Sequence, residues 1–166
     1  MKKLNKLTLN AMLSALAVAV SAVEGLLPAA AFMPPGAKIG LSNIVTMYAS
    51  KTLTVYNALA IVVVKSVFVL ATRGATAFFM SFLGGAASTI ITAALLNSKK
   101  SKYGTVGIGV LGAAAHNCSQ LLVAVIITNE GVLYYLPFLI AASVVTGTFT
   151  GVILHLTLSI TSRRSE

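Results

Sequence analysis

The sequence predicts an all-α integral membrane protein, a single bundle of six transmembrane helices with its N-terminus and C-terminus in the cytoplasm. Three observations carry that prediction. Mean hydropathy is +0.94, with 57% hydrophobic residues, 9% charged residues and no Trp in 166 positions. A water-soluble domain so composed would have too little polar surface to cover its core. Gly, Pro, Asn and charged residues divide the chain into stretches of about 20 apolar residues, the length that crosses a hydrocarbon layer about 30 Å thick. Finally, the basic residues gather in alternate connections between those stretches.

The first helix is expected over residues 7–27. Its basic start, apolar middle and small-residue "VSA" imitate a secretory signal peptide, but removing it would leave five spans and disturb the charge parity, so it is read as a retained helix. The turn-forming "PAAAFMPPGAK" of residues 28–38 is a loop. A short second helix follows over 40–50, for which a half-span or a tilted helix is equally possible. The third is expected over 53–71, the fourth over 76–97 and the fifth over 105–128. The sixth, over 133–160, is long enough to tilt or project from the membrane. No soluble domain, repeat or low-complexity linker remains, so residues 1–166 form one membrane domain.

Six spans place Lys2, Lys3, Lys6, Lys51, Lys99, Lys100, Lys102, Arg163 and Arg164 on one side and only Lys38 and Arg73 on the other. The positive-inside rule assigns the richer side to the cytoplasm. The formal charge of +9 does not point to nucleic acid, because the basic residues form no stripe interleaved with aromatics. Cys118, the sole cysteine, excludes an internal disulfide and any multi-cysteine metal site, and reads as a small helix filler. "GIGVLG" at 107–112 matches a dinucleotide fingerprint but has no strand before it, so its glycines are read as helix contacts. "NCS" at 117–119 matches a glycosylation sequon at membrane depth, where it has no use.

Ionisable groups inside a bilayer are costly, and their default reading is functional. The candidates are Glu24, Lys38, Lys65, His116 and His155. All but His155 fall in the outer half of the membrane. Asn43 lies one turn below Lys38, and His116, Asn117 and Gln120 cluster in "AAAHNCSQ", with His116 and Gln120 sharing a helix face. A pocket open to the exterior and lined by Lys38, Asn43, Lys65, His116, Asn117 and Gln120 is expected. The structural alternative is a buried Lys65–Glu24 pair with amides bonded to backbone. One acid cannot balance Lys38, Lys65 and Arg73, and the excess predicts an anionic ligand group, carboxylate or phosphate. His155 is expected to pack or to sit at the interface. Two stripes of small residues, Ala11, Ala15 and Ala19 in the first helix and Ser143, Gly147 and Gly151 in the sixth, fit either intramolecular packing or a partner's docking face.

At "PPGAKIGLSNIVTMYA" and "GAAAHNCSQLLVA" the chain resembles the bacterial family labelled heptaprenyl diphosphate synthase component I, also called the Gx transporter family. That family is similar to the six-helix, substrate-binding S components of energy-coupling factor (ECF) importers. The resemblance implies that Ala11, Ala15 and Ala19 dock onto a transmembrane coupling subunit joined to two cytoplasmic ATPases, and that loop 28–38 closes as a gate over substrate. It further implies a multi-pass protein of the bacterial cell membrane that needs no cofactor or catalytic residue of its own.

The two family labels imply different functions. Prenyl chain elongation needs paired aspartate-rich motifs for magnesium and diphosphate, and this sequence contains no Asp and only three acidic residues. It also lacks a G-x-x-x-x-G-K phosphate loop, so ATP-driven transport must borrow its motor. The expectation is therefore a non-enzymatic S component that captures a small anionic, partly apolar nutrient, such as a vitamin or a quinone or isoprenoid precursor. The alternatives are an accessory membrane subunit of an isoprenoid synthase, or a stand-alone secondary transporter, for which the expected internal repeat and midplane ion carboxylate are not seen.

Overall fold

The computed structural model describes residues 3–26, 39–98 and 103–163. The gating loop 28–38, Lys38 included, lies outside them. The described residues are helical almost throughout: α1 (Lys3–Leu26), α2 (Asn43–Thr52), α3 (Val55–Asn97), α4 (Thr105–Ile127), a 3-10 turn (Glu130–Tyr135) and α5 (Leu136–Arg163). Four stretches are long and apolar enough to cross a membrane: Leu4–Leu26, Val55–Asn97, Thr105–Ile127 and Glu130–Thr161.

Helix α3 is not one rod. Its 43 residues would extend about 65 Å at 1.5 Å per residue, yet the Ser66 hydroxyl donates to the Ser81 hydroxyl across 3.3 Å. Residues 15 apart in a continuous helix stand more than 20 Å apart, so the chain folds back between them. The fold is at Gly74, whose φ of 84° and ψ of −178° are non-helical. A side chain there would strain the backbone. Limbs 55–73 and 75–97 therefore run antiparallel and correspond to the expected third and fourth helices, separated by one residue where the sequence reading left a longer break.

The second helix differs more. It begins at Asn43, not residue 40, because Gly40 has φ +85° and residues 41–42 form a turn. At ten residues it is about 15 Å long, half the hydrocarbon thickness. This least apolar helix occupies the centre of the bundle. On one side Val45 and Ala49 pack with Leu13, Ala17, Ala58 and Ile61; on the other Met47 packs with Ile108 and Leu154. At its C-terminal end Lys51 Nζ donates to the Leu96 carbonyl (2.9 Å) and Asn97 Nδ2 to the Ser50 carbonyl (3.3 Å). This ties α2 to the end of α3 and marks the basic end of the bundle.

Polarity is inverted relative to a soluble protein. Ser21, Thr46, Ser66, Ser88, Thr89 and Thr92 are buried, while Val67, Phe79, Ile90, Leu122, Phe138 and Val145 are exposed. An apolar exterior around a polar interior is the arrangement a bilayer favours, since lipid gives no reward for burying leucine.

The stripe Ser143, Gly147 and Gly151 belongs to the fold. A Cβ at Gly147 would collide with the backbone of Val110 and Gly109, and one at Gly151 with Val106 and Thr105, so α4 and α5 meet backbone to backbone. The predicted helix contacts of Gly109 and Gly112 are real: the first faces Gly147 and Gly151, the second Ser88 and Thr92. The α1 stripe does the opposite. Ala11, Ala15 and Ala19 are exposed, while Leu13, Ala17, Ser21 and Glu24 turn inward. Cys118 is also exposed, on the outer face of α4, and fills no interior gap.

Gly147→Val should therefore destabilise the bundle by about 1–3 kcal/mol through overpacking, read as a lower thermal midpoint by circular dichroism in detergent. Ala15→Val, on the open face of α1, should shift stability by no more than about 0.5 kcal/mol.

Candidate functional site

The centre of the bundle is polar because the chain is unwound there. Residues 39–42 lead into α2, and a partner outside the helix must satisfy the N–H groups of residues 40–42. The Glu24 carboxylate does so: its Oε1 accepts from Gly40 N (2.6 Å) and Leu41 N (2.7 Å), and its Oε2 from Ser42 N (3.4 Å). Glu24 is 6% exposed, three residues along from Ser21 on the inward face of α1. It also supplies negative charge beside the N-terminus of α2, where the helix dipole favours it.

Lys65 reaches the same place from the other side. It is 1% exposed and donates to Ser42 Oγ (3.0 Å) and Asn43 Oδ1 (2.9 Å). Its position in α3 puts it about 15 Å from Val55, near mid-membrane. Gly85 stands against the Lys65 stem, since a Cβ there would come within 3.3 Å of Cε. The oppositely charged Glu24 and Lys65 thus grip successive parts of one segment, the acid its N–H groups and the base its side-chain oxygens.

His116, eleven residues into α4, is at matching depth. Its ring lies between Gly40, where a Cβ would come within 3.0 Å of Cδ2, and Gly84, where one would come within 2.9 Å of Nδ1. The Gln120 amide nitrogen stands 2.7 Å from His116 Nε2, as their shared helix face predicts. Ser21, Glu24, Ser42, Lys65, Ser81, His116 and Gln120 all line one cavity of about 10 Å³, the space of about one water molecule. The polar groups are closed on one another in this state.

Four expected site residues, Asn43, Lys65, His116 and Gln120, therefore meet around the unwound segment. Asn117 does not join them. One position round the helix, it faces α5, where its Nδ2 donates to the Leu139 carbonyl (3.2 Å) and Ser143 Oγ (2.8 Å). Arg73 is exposed and passes Gly25 at the opposite end from Lys51. The described cavity thus holds one carboxylate and one ammonium, with Arg73 apart from it.

Sequence reasoning missed Ser21, Ser42 and Ser81, whose hydroxyls carry no signal among the many serines of an apolar chain. It counted Glu24 only as a partner for Lys65, whereas the structure gives that acid the backbone of the unwound segment. The two residues of positive φ, Gly40 and Gly74, were the available signal for broken helices.

A family model described as heptaprenyl diphosphate synthase component I matches residues 13–157. No curated protein and no solved structure matches the chain.

Gly40→Ala should cost about 1–3 kcal/mol, from a non-glycine residue at positive φ and from contact with the His116 ring. Gly104→Ala should be nearly neutral, because a Cβ there meets open space. The difference is read from the two melting midpoints in the same detergent.

Proposed function

The chain belongs to the heptaprenyl diphosphate synthase component I family, and from that premise we propose that it is a substrate-binding membrane subunit, an S component of an ECF-type importer. Its ligand in this reading is a small anionic, partly apolar nutrient. The observation that carries the reading is the mid-membrane cluster of Lys65, Asn43, His116 and Gln120 around an unwound segment. Non-helical backbone at that depth is tolerated where it is buried in protein or lines a cavity, and discontinuous helices mark substrate sites in other transporters.

The cycle follows from what holds the segment. In this reading residues 39–42 and α2 belong to the second of six crossings, with the N-terminus and C-terminus in the cytoplasm. Ligand arrival from outside displaces residues 39–42 from Lys65 and His116. Lys65 then exchanges Ser42 and Asn43 for the ligand's carboxylate or phosphate, Gln120 and His116 supply hydrogen bonds, and Lys38 brings further positive charge with loop 28–38. Release needs outside energy, because the sequence has no ATP-binding loop. The exposed Ala11, Ala15 and Ala19 face is the docking surface for a coupling subunit joined to two ATPases, since small residues let a second helix approach closely.

The family's description favours a second reading, an accessory membrane subunit of an isoprenoid synthase. The absence of Asp from the sequence removes independent chain elongation from it but leaves an anchoring role.

Mild extraction from native membranes separates the two. Co-purification with a coupling subunit and ATPases is the expected result; recovery with a prenyl synthase instead would defeat the importer reading. Mass spectrometry of retained small molecules identifies the ligand. Lys65→Gln, which keeps a donor for Ser42 and Asn43 but removes the charge, should weaken binding of that ligand at least about tenfold, about 1.4 kcal/mol. Unchanged affinity in calorimetric titration would exclude Lys65 from the site.

A further inference from the structure

At the basic end lies a second space that the proposed function does not use. It is an open groove of about 610 Å³, within the size range of ligand pockets, where the ends of α2, α3, α4 and α5 meet. Its wall is apolar, formed by Leu95, Leu96, Ile108 and Leu158, and its polar groups are Lys51, His155 and Tyr103. We infer that this groove binds an anionic phospholipid, with the phosphate at Lys51 and His155 and the acyl chains along the leucine wall.

Charge carries the argument. Among the described residues, no carboxylate lines the groove. Of the two acidic residues among those described, Glu24 stands in the last turn of α1 and holds residues 40–42, and Glu130 opens the 3-10 turn after α4, a full helix length from Thr105. Lys51 Nζ donates to the neutral Leu96 carbonyl, which fixes the ammonium at the groove without balancing its charge. Among the described residues no anion balances it, which leaves the site open to a ligand's.

Further features add to the attraction. The first turn of α4 has Gly104 as its N-cap and no side-chain cap, so its N–H groups and the positive end of its dipole open at the groove, whose lining includes Thr105 and Val106. Ser98 and Tyr103 also line the groove, each with a hydroxyl.

Depth selects a lipid over a soluble anion. Lys51, Leu95, Leu96, Thr105 and Val106 stand in the first or last turns of their helices, and His155 and Leu158 lie within about 12 Å of the end of α5, the depth at which headgroups meet hydrocarbon. It combines a basic mouth with an apolar wall, as lipid headgroup sites between transmembrane helices do. Inorganic phosphate would use the mouth and leave the wall uncovered.

The test is native mass spectrometry of the full chain released from detergent, with equimolar phosphatidylglycerol and phosphatidylcholine of identical acyl chains. Retention of phosphatidylglycerol at least about fivefold above phosphatidylcholine is expected. Lys51→Gln, which keeps a donor for the Leu96 carbonyl, and His155→Gln, at an exposed position, should each reduce that ratio at least twofold. Together they should bring it near one. Millimolar inorganic phosphate should leave phosphatidylglycerol bound. Equal retention of the two lipids, a preference unaltered in whichever variants fold, or displacement by inorganic phosphate would each overturn the proposal.

Discussion

The central constraint of this protein is that a carboxylate must hold unpaired backbone N–H groups in the middle of an apolar bundle. A buried amide left unsatisfied costs several kcal/mol. Glu24 accepts from Gly40, Leu41 and Ser42, and other features follow from that arrangement. The turn at residues 40–42 can stand outside any helix, α2 can begin at Asn43, and α2 can occupy the interior although it is the least apolar helix. Lys65 completes the hold from the opposite side by bonding Ser42 and Asn43.

The surrounding helices meet the requirements of that centre by close approach rather than by burying large apolar side chains. Lipid is as apolar as leucine, so helices associate through fit and hydrogen bonding. Gly109, Gly147 and Gly151 bring α4 and α5 into backbone contact. Asn117 and Ser143 add hydrogen bonds at the same interface. Gly84 and Gly40 leave room for the His116 ring. The alanine side of α1 takes no part in this packing.

The proposed binding cycle draws on the same bonds. The Lys65 ammonium, which a ligand's charged end would meet, is already engaged with Ser42 and Asn43, and the cavity beside it is only about 10 Å³. Capture then amounts to exchange, in which a ligand oxygen replaces Ser42 and Asn43 at Lys65. Exchange within the protein is less costly than exposing the ammonium to hydrocarbon, so the segment acts as an internal stand-in for the ligand.

Much of the fold was legible in the residue order. Hydropathy alone determined the membrane class and the long apolar helices, because about 20 apolar residues in a row have no other stable environment. The pairing of His116 with Gln120 was legible because helical geometry fixes neighbours four residues apart. The direction of each side chain about its helix was not. Ala11, Ala15 and Ala19 and the stripe of Ser143, Gly147 and Gly151 look alike in sequence, yet one faces outward and the other forms the α4–α5 contact. Asn117 and His116 are adjacent in sequence but face different helices. The true start of α2 and the role of Glu24 depended on the Gly40 backbone, since a positive φ shows in sequence only as a glycine among 13. Composition and spacing therefore determined which segments enter the membrane, and tertiary structure alone decided which faces meet, because in lipid that choice rests on steric fit and on the partners available to each buried polar atom.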